Sequence, residues 1–347
     1  MARKLLWASL ALAPVTVVVD FALHAAEVAL FSLAALSLVP LAWLIGEATE
    51  HAAEHTGPGV GGFLNASFGN APELIIALFA VGDSLPDVVR GSLAGSVISN
   101  ILLVLGVAIL AQGGQEGELD RRSLLLQLAL VGGAVLLLLI PSVAGFDGDP
   151  NRHSLAQLTI PVSVALLVVY VVVTTMNLRR HRAGHDEQAA SGAWSLRVAL
   201  VALIAATAAT ALISEILVHS LEAFAHAAHL SEFFIAAVIV ALVGNAAEHG
   251  GAIVIANRGK IKLATEIAVA SSAQVALFVM PAVALLSWLV TPALTFAFRP
   301  AELVAIVVAV VAVAIVLHDA RARRLEGGVL VTIYAGVAVA FLIAGDR

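Results

Sequence analysis

Long apolar segments recur along this entire chain and restrict it to folds that lie in a membrane. Runs of about 20 mostly apolar residues, the length that carries a helix across the ~30 Å hydrocarbon core of a bilayer, alternate with charged or glycine- and proline-containing breaks. Only 12% of the 347 residues are charged, whereas a soluble domain carries roughly a quarter. We therefore predict an all-α polytopic membrane protein.

Eleven segments are predicted to span the bilayer. They cover residues 5–23, 28–55, 60–81, 86–111, 122–143, 156–178, 196–221, 232–257, 261–290, 300–318 and 327–344. The first begins after Arg3 and Lys4, as a signal peptide would, but no convincing cleavage site follows, so we interpret it as a membrane span.

The basic residues predict an orientation. With a cytoplasmic N-terminus, 13 lysines and arginines fall in inside loops and 4 in outside loops, as the positive-inside rule requires. The C-terminus then lies outside, and the compact loops suggest a prokaryotic inner membrane. No basic patch is large enough for nucleic acid. The absence of cysteine excludes disulfides and thiolate metal sites.

A repeated motif divides the chain into two halves. The sequence Gly-Asn-Ala-Pro-Glu at 69–73 recurs as Gly-Asn-Ala-Ala-Glu at 244–248, 175 residues later. Five predicted spans belong to each copy, and an odd number inverts the second half relative to the first. The predicted divisions are a peripheral N-terminal helix (1–27), the first repeat (28–178), a cytoplasmic linker (179–195) and the second repeat (196–347).

The motif glutamates, Glu73 and Glu248, are the predicted site. Each lies within an apolar segment, where an ionised carboxylate costs several kcal/mol and usually faces a bundle interior or a water-filled cavity. Inverted repeats place substrate sites where the halves meet near the midplane. The alternative is a protonated glutamate bonded to a neighbouring helix.

The surrounding residue types suit a hard cation. Calcium takes 6–8 oxygen ligands, and two bidentate carboxylates supply about four. The amide oxygens of Asn70 and Asn245 lie nearly one turn back on the same helix face. Pro72 has no amide hydrogen, so we expect it to free the carbonyl of Phe68 and to break the helix.

A second polar group follows each motif, and two interpretations remain open for it. Its members would either ligate the cation or make interhelical hydrogen bonds. They are Ser96, Ser99, Asn100, Ser271, Ser272 and Gln274. His249 is expected to tune Glu248 rather than to ligate, because calcium prefers oxygen. Calcium and protons competing for one pair of carboxylates would suffice for antiport.

These residues resemble the calcium/cation antiporter superfamily, in its calcium/proton exchanger branch. The similar stretches are 61–78, 95–106, 244–249 and 271–281, and Gly-Asn before each motif glutamate is typical of the proton-coupled branch. The resemblance implies a secondary transporter, not an enzyme, in which Glu73 and Glu248 bind Ca²⁺ and H⁺ alternately without a cofactor. Many relatives have a strongly acidic linker, but only Asp186 and Glu187 stand there in this chain.

Other functions remain open at this point. Sodium coupling, manganese transport and a cation channel all fit a repeated acidic pair. The residues His51, Glu54 and His55 match the H-x-x-E-H spacing of zinc proteases, although such an enzyme needs a third ligand and a catalytic water. A homo-oligomer is also compatible with the sequence.

Overall fold

Helices form nearly all the regular structure in the computed structural model, which describes residues 2–23, 26–112, 117–181, 194–290 and 293–345. The elements up to the predicted linker are α1 (Ala2–Ser9), α2 (Leu12–Leu23), α3 (Glu27–Phe68), α4 (Ala71–Gly82), α5 (Pro86–Ile98), the π-helix π1 (Ser99–Val104), α6 (Leu105–Ala111), β1 (Gly117–Glu118), α7 (Arg121–Ala144) and α8 (His153–His181).

The elements after the predicted linker are again mostly helices, several of them interrupted. They are α9 (Leu196–His219), α10 (Leu221–Ala228), α11 (Glu232–Phe234), π2 (Ile235–Val240), α12 (Ala241–Gly244), α13 (Ala246–Asn257), α14 (Ile261–Gln274), π3 (Val275–Val279), α15 (Met280–Leu286), α16 (Pro300–Val316), β2 (Arg321–Ala322) and α17 (Arg324–Ala344), with short 3₁₀ turns at Ser287–Leu289 and Leu317–Asp319.

The polytopic helical prediction is confirmed, with a different count of spans. Within the described residues, nine helices are long and apolar enough to cross a bilayer, or ten if the pair 221–228 and 232–244, bent by 111°, is one span. The two predicted spans that are not continuous are 60–81 and 232–257, which contain the repeated motifs. Each is interrupted at its motif asparagine. The helices that follow the breaks, α4 and α13, have 12 residues each and are too short to cross the bilayer alone.

One boundary between predicted spans was wrong, because α3 continues from Glu27 to Phe68 through the boundary predicted between 55 and 60. α8 ends at His181, close to the predicted end at 178. The linker residues 182–193, with Asp186 and Glu187, lie outside the described residues. The division into repeats and linker stays a prediction.

Two strands of two residues each pair at one end of the helical bundle. β1 pairs with β2 in antiparallel register, and Lys262 Nζ lies 3.2 Å from Asp120 Oδ2 beside it. The Ser123 amide and then Lys262 hold the pKa of Asp120 below its ordinary value. This end, the strand end, gathers loops of both halves that were predicted to share the cytoplasmic side.

A buried ion cluster joins the halves at the opposite end, which we call the arginine end. Arg90 and Arg299 both donate to Asp87, the latter at 3.0 Å, although only 1% and 6% of these two arginines is exposed. Arg90 also donates to Asn151 Oδ1 at 3.1 Å and to Thr295 Oγ1 at 3.0 Å. One carboxylate thus bridges two buried guanidinium groups from different halves.

The short motif helices run to opposite ends. α4 leads to Asp83, four residues before the Asp87 of the arginine end, whereas α13 leads to Lys262 at the strand end. Their first residues therefore lie inside the bundle and their last residues at its two ends. This is the arrangement that the inverted repeat requires.

Depth in the bundle differs between the spans. In the span 86–111, built from α5, π1 and α6, 83% of the apolar window is buried, against 11% for residues 4–23. The predicted site therefore lies beside the most enclosed helix, and the first span is peripheral.

The arginine end should contribute strongly to stability. Asp87→Asn leaves two buried guanidinium groups without their carboxylate. We expect the free energy of unfolding to fall by about 3–5 kcal/mol, which lowers the melting temperature by on the order of 10 °C. Lys262→Met, which breaks a solvent-exposed pair, is the control and should change the melting temperature little. Thermal unfolding of the purified proteins in detergent measures both, and equal melting temperatures would refute this role.

Candidate functional site

Both motif asparagines occupy a helix break of the same shape. α3 ends at Phe68 and α12 at Gly244, and the next helices begin at Ala71 and Ala246. Asn70 has φ −100° and ψ 19°, and Asn245 has φ −91° and ψ 6°. These are bridge-region angles, which are sparsely populated and recur in functional sites. The glutamate is the third residue of the new helix in both halves.

The proline does not account for both breaks. The second half has Ala247 where the first has Pro72, yet the chain turns in the same way. Neither asparagine side chain caps its own helix, as an N-cap asparagine ordinarily does. Both reach across to the other half instead, so interactions between the halves accompany the break where no proline is present.

Glu73 is enclosed by residues of the other half. Only 7% of it is exposed, and a Cβ built on Gly244 would lie 3.4 Å from its Cγ and 3.7 Å from its Oε1. The second oxygen, Oε2, is buried and accepts no hydrogen bond within the described structure. The positive end of the α4 dipole favours a carboxylate here. The dipole does not replace a hydrogen-bond donor, so the lone pairs of Oε2 have no donor.

Glu248 is half-buried and bonds to its own half. Its Oε2 accepts a hydrogen bond from Ser271 Oγ, and Ser271 Oγ in turn accepts one from Asn100 Nδ2 at 3.0 Å. Asn100 belongs to the first half. The position of Glu248 therefore depends on a residue of the opposite repeat.

Side-chain amides connect the two halves directly. Asn70 Nδ2 donates to Gln274 Oε1 at 2.9 Å, and Asn245 Nδ2 donates to Ser96 Oγ at 2.9 Å. Asn100 Nδ2 also donates to Asn245 Oδ1 at 3.3 Å. His249 Nε2 donates to Asn100 Oδ1 at 2.8 Å, which requires a proton on that nitrogen. This network leads from Glu248 to Ser96, which lines the same small cavity as Glu73.

Two predicted site residues have other roles in this state. Ser99 donates to the carbonyl of Ser96 in its own helix, at 3.2 Å. Ser272 donates to the carbonyl of Val97 in the other half, at 3.1 Å. The interhelical interpretation therefore holds for Ser272, whereas Ser99 satisfies its own backbone. Phe68 is the last residue of α3, and Pro72 is buried in the first turn of α4.

Sequence reasoning missed two contributors. Ser92, one turn before Ser96 on α5, lines the cavity beside Glu73, and Gly244 forms part of its wall. Ser92 carried a usable signal, because it is a polar residue at helical spacing from a predicted one. Gly244 was read only as part of the motif, since its contact with Glu73 joins residues far apart in sequence.

The H-x-x-E-H match has other partners. His55 Nε2 lies 2.7 Å from the Trp194 carbonyl oxygen, and the His51 ring packs on the Trp194 ring with centroids 4.8 Å apart. His51 Nδ1 is 3.4 Å from Glu54. Among the described residues, no group of three or more histidines and acidic side chains could hold a metal ion.

Comparison with known proteins gives the family. The sequence profile of the sodium/calcium exchanger protein family matches residues 26–179 and 198–343, which are nearly the two predicted repeats. The chain belongs to this family. The predicted relationship to the calcium/cation antiporters is thereby confirmed, and with it the expectation of a transporter rather than an enzyme.

Relatives of this family member cover almost all of it. The Ca(2+)/H(+) antiporter ChaA of Bacillus subtilis is 37% identical over 340 residues, which are 94% of this chain and 95% of that protein. The Ca(2+)/H(+) antiporter of Aphanothece halophytica is 33% identical and covers 92% of this chain, with 91% of its own length matched.

Solved structures agree with the fold. Native YfkE superposes with a TM-score of 0.85 at 32% identity, covering 97% of this chain and 99% of its own. The H+/Ca2+ exchanger CAX gives 0.74 at 15% identity, covering 99% of this chain and 92% of its own, so that likeness concerns the fold alone.

Asn100 should be essential to this family member's site. Asn100→Ala removes hydrogen bonds to Asn245, Ser271 and His249, each worth about 1 kcal/mol, and we expect at least a tenfold loss of ion flux in proteoliposomes. Thr207→Val is the control, because that hydroxyl donates to Leu203 in its own helix. Wild-type flux in Asn100→Ala would show that the network does not organise the site.

Proposed function

We propose that this protein exchanges Ca²⁺ for H⁺ across a membrane by alternating access, with Glu73 and Glu248 binding the two ions competitively. The observation that carries the proposal is the pair of glutamates, each the third residue of a helix that begins at a break, with the two helices running to opposite ends of the bundle. A hydrogen-bond network between the halves leads from Glu248 to Ser96, which lines the same cavity as Glu73. The Ca(2+)/H(+) antiporters among the relatives support the choice of ions.

The chemistry of the site favours a hard divalent cation. Two carboxylates provide up to four oxygens of the 6–8 that calcium takes. In this state the amide oxygen of Asn245 accepts from Asn100, but an amide oxygen has a second lone pair. Asn70 lies at the equivalent position in the first half. We propose these two amides as further ligands, with Ser96, Ser271 and Gln274 as their supports.

Charge neutrality couples the two ions. Two carboxylates inside an apolar bundle, one buried and one half-buried, are costly to keep ionised without a cationic side chain beside them. One Ca²⁺ or two protons would each neutralise them. An empty, doubly charged site would then resist reorientation between the two membrane faces, and the resistance prevents leak.

Direction and location follow from the loops and the relatives. The strand end carries basic residues of several loops, so we place it in the cytoplasm and the arginine end outside. The bacterial relatives support a bacterial plasma membrane. On this orientation the inward proton gradient would drive calcium export.

Proton-driven uptake of ⁴⁵Ca²⁺ into proteoliposomes tests the proposal. Glu73→Gln and Glu248→Gln should each reduce uptake by more than about a hundredfold, because each removes a charged ligand that the other glutamate cannot replace. Glu222→Gln, at an exposed position on α10, is the matched control and should retain wild-type uptake.

Parallel gradients separate the alternatives. Uptake driven by sodium instead of protons, or selective for Mn²⁺ over Ca²⁺, would replace the ion assignment. Downhill calcium flux that is indifferent to both gradients would contradict the carrier mechanism and indicate a channel. Full activity in either glutamine variant would refute the assigned site.

A further inference from the structure

A small cavity lies beside Glu73, and the ion site proposed above gives it no role. It is about the size of one water molecule, and its polar lining comes from Glu73, Ser92 and Ser96. The rest of the lining is apolar and comes from both halves. The cavity therefore adjoins the proposed ion site where α4, α5 and α12 meet.

The polar groups around the cavity are arranged to hold a water molecule. Glu73 Oε2 is buried and has no hydrogen-bond partner in the described structure, which is an expensive state for a carboxylate. The Ser92 hydroxyl donates to the Val89 carbonyl at 3.1 Å, so its lone pairs are what it offers the cavity. A water molecule can donate to both Oε2 and Ser92 Oγ, whereas the serine cannot donate to Oε2 while it bonds to Val89.

We propose that this cavity holds one water molecule, positioned by Ser92, which remains with the cation as one of its oxygen ligands. The inference rests on the proposed function and extends its ligand set. Calcium takes 6–8 oxygen ligands, and two carboxylates with two amides supply at most about six. A retained water would add one more. Ser92 is a positioning residue here, because it acts through the water.

The second half lacks this feature. The residue equivalent to Ser92, 175 positions later, is Ile267, whereas Ser96 has Ser271 as its counterpart. Ile267 cannot hold a water molecule by hydrogen bonding. The retained water would therefore lie on the Glu73 side alone, and the two glutamates would make unequal contributions to ion binding.

Two single variants and their combination test the inference through the KM for ⁴⁵Ca²⁺ in proton-driven uptake. Ser92→Ala removes the group that orients the water, and we expect KM to rise about fivefold to tenfold with little change in Vmax, as for one lost hydrogen bond. Gly244→Ala adds a methyl group at ordinary contact distance from Glu73 and fills the cavity from the other half, with a similar expected rise in KM.

The double variant separates a shared water from two unrelated effects. If both changes act by removing the same water, Ser92→Ala/Gly244→Ala should have a KM no higher than that of the worse single variant. Additive effects, or an unchanged KM in Ser92→Ala, would overturn the proposal. Ser92→Ala decides the question by itself if Gly244→Ala does not fold.

Control variants distinguish a failure of the water proposal from a failure of the proposed function. Thr49→Val removes a buried hydroxyl that donates to Ile45 in its own helix, and it should leave KM unchanged. Loss of uptake in Glu73→Gln together with a wild-type KM in Ser92→Ala would refute the water alone. Retained uptake in Glu73→Gln would refute the ion site itself.

Discussion

The cost of placing charge inside an apolar bundle organises this protein. At the arginine end, two buried guanidinium groups donate to Asp87, so the charge of this carboxylate is matched by the chain itself. Glu73 and Glu248 differ, because within the described residues no lysine, arginine or histidine forms an ion pair with either. Serine hydroxyls are the polar side-chain groups beside them, Ser271 at Glu248 and Ser92 and Ser96 at the Glu73 cavity. A charge that the chain leaves unmatched is what a transported cation or proton can neutralise.

The two halves are in contact at both glutamates. Glu248 is held through Ser271 by Asn100 of the other half, and Glu73 packs on Gly244 of the other half. The proposed site therefore draws on residues of both predicted repeats. The network also differs between the repeats. His249 bonds to Asn100, but the residues at the equivalent positions of the other repeat are Leu74 and Val275, which cannot form such a bond. Symmetry supplies the pair of carboxylates, and these differences make the two sides distinct.

Sequence reasoning was most successful where a single segment carries the signal. Apolar length predicted the helical membrane fold, and the motif copies led to the glutamates and to the helix breaks beside them. It predicted a break at Pro72 in the first half, and the second half breaks in the same way with Ala247 at that position. For Ser99 it left ligation and interhelical hydrogen bonding open, and the hydroxyl donates to its own backbone at Ser96, which helical spacing does not reveal.

Features formed by distant segments could not be predicted in this way. The bridge from Asp87 to Arg299 joins residues more than two hundred positions apart, and the short strands β1 and β2 pair across a similar separation. The cavity between Ser92 and Gly244 likewise depends on how α5 packs against α12. Such contacts depend on packing between the halves, which periodicity and composition do not encode.

Equilibrium binding of ⁴⁵Ca²⁺ to the purified protein in detergent, at a pH high enough to limit proton competition, tests the central claim most directly. If Glu73 and Glu248 form one shared site, the wild type binds one Ca²⁺ per chain and each single glutamine variant loses that binding. Two ions per wild-type chain, or one variant that retains binding at wild-type affinity, would contradict a shared site.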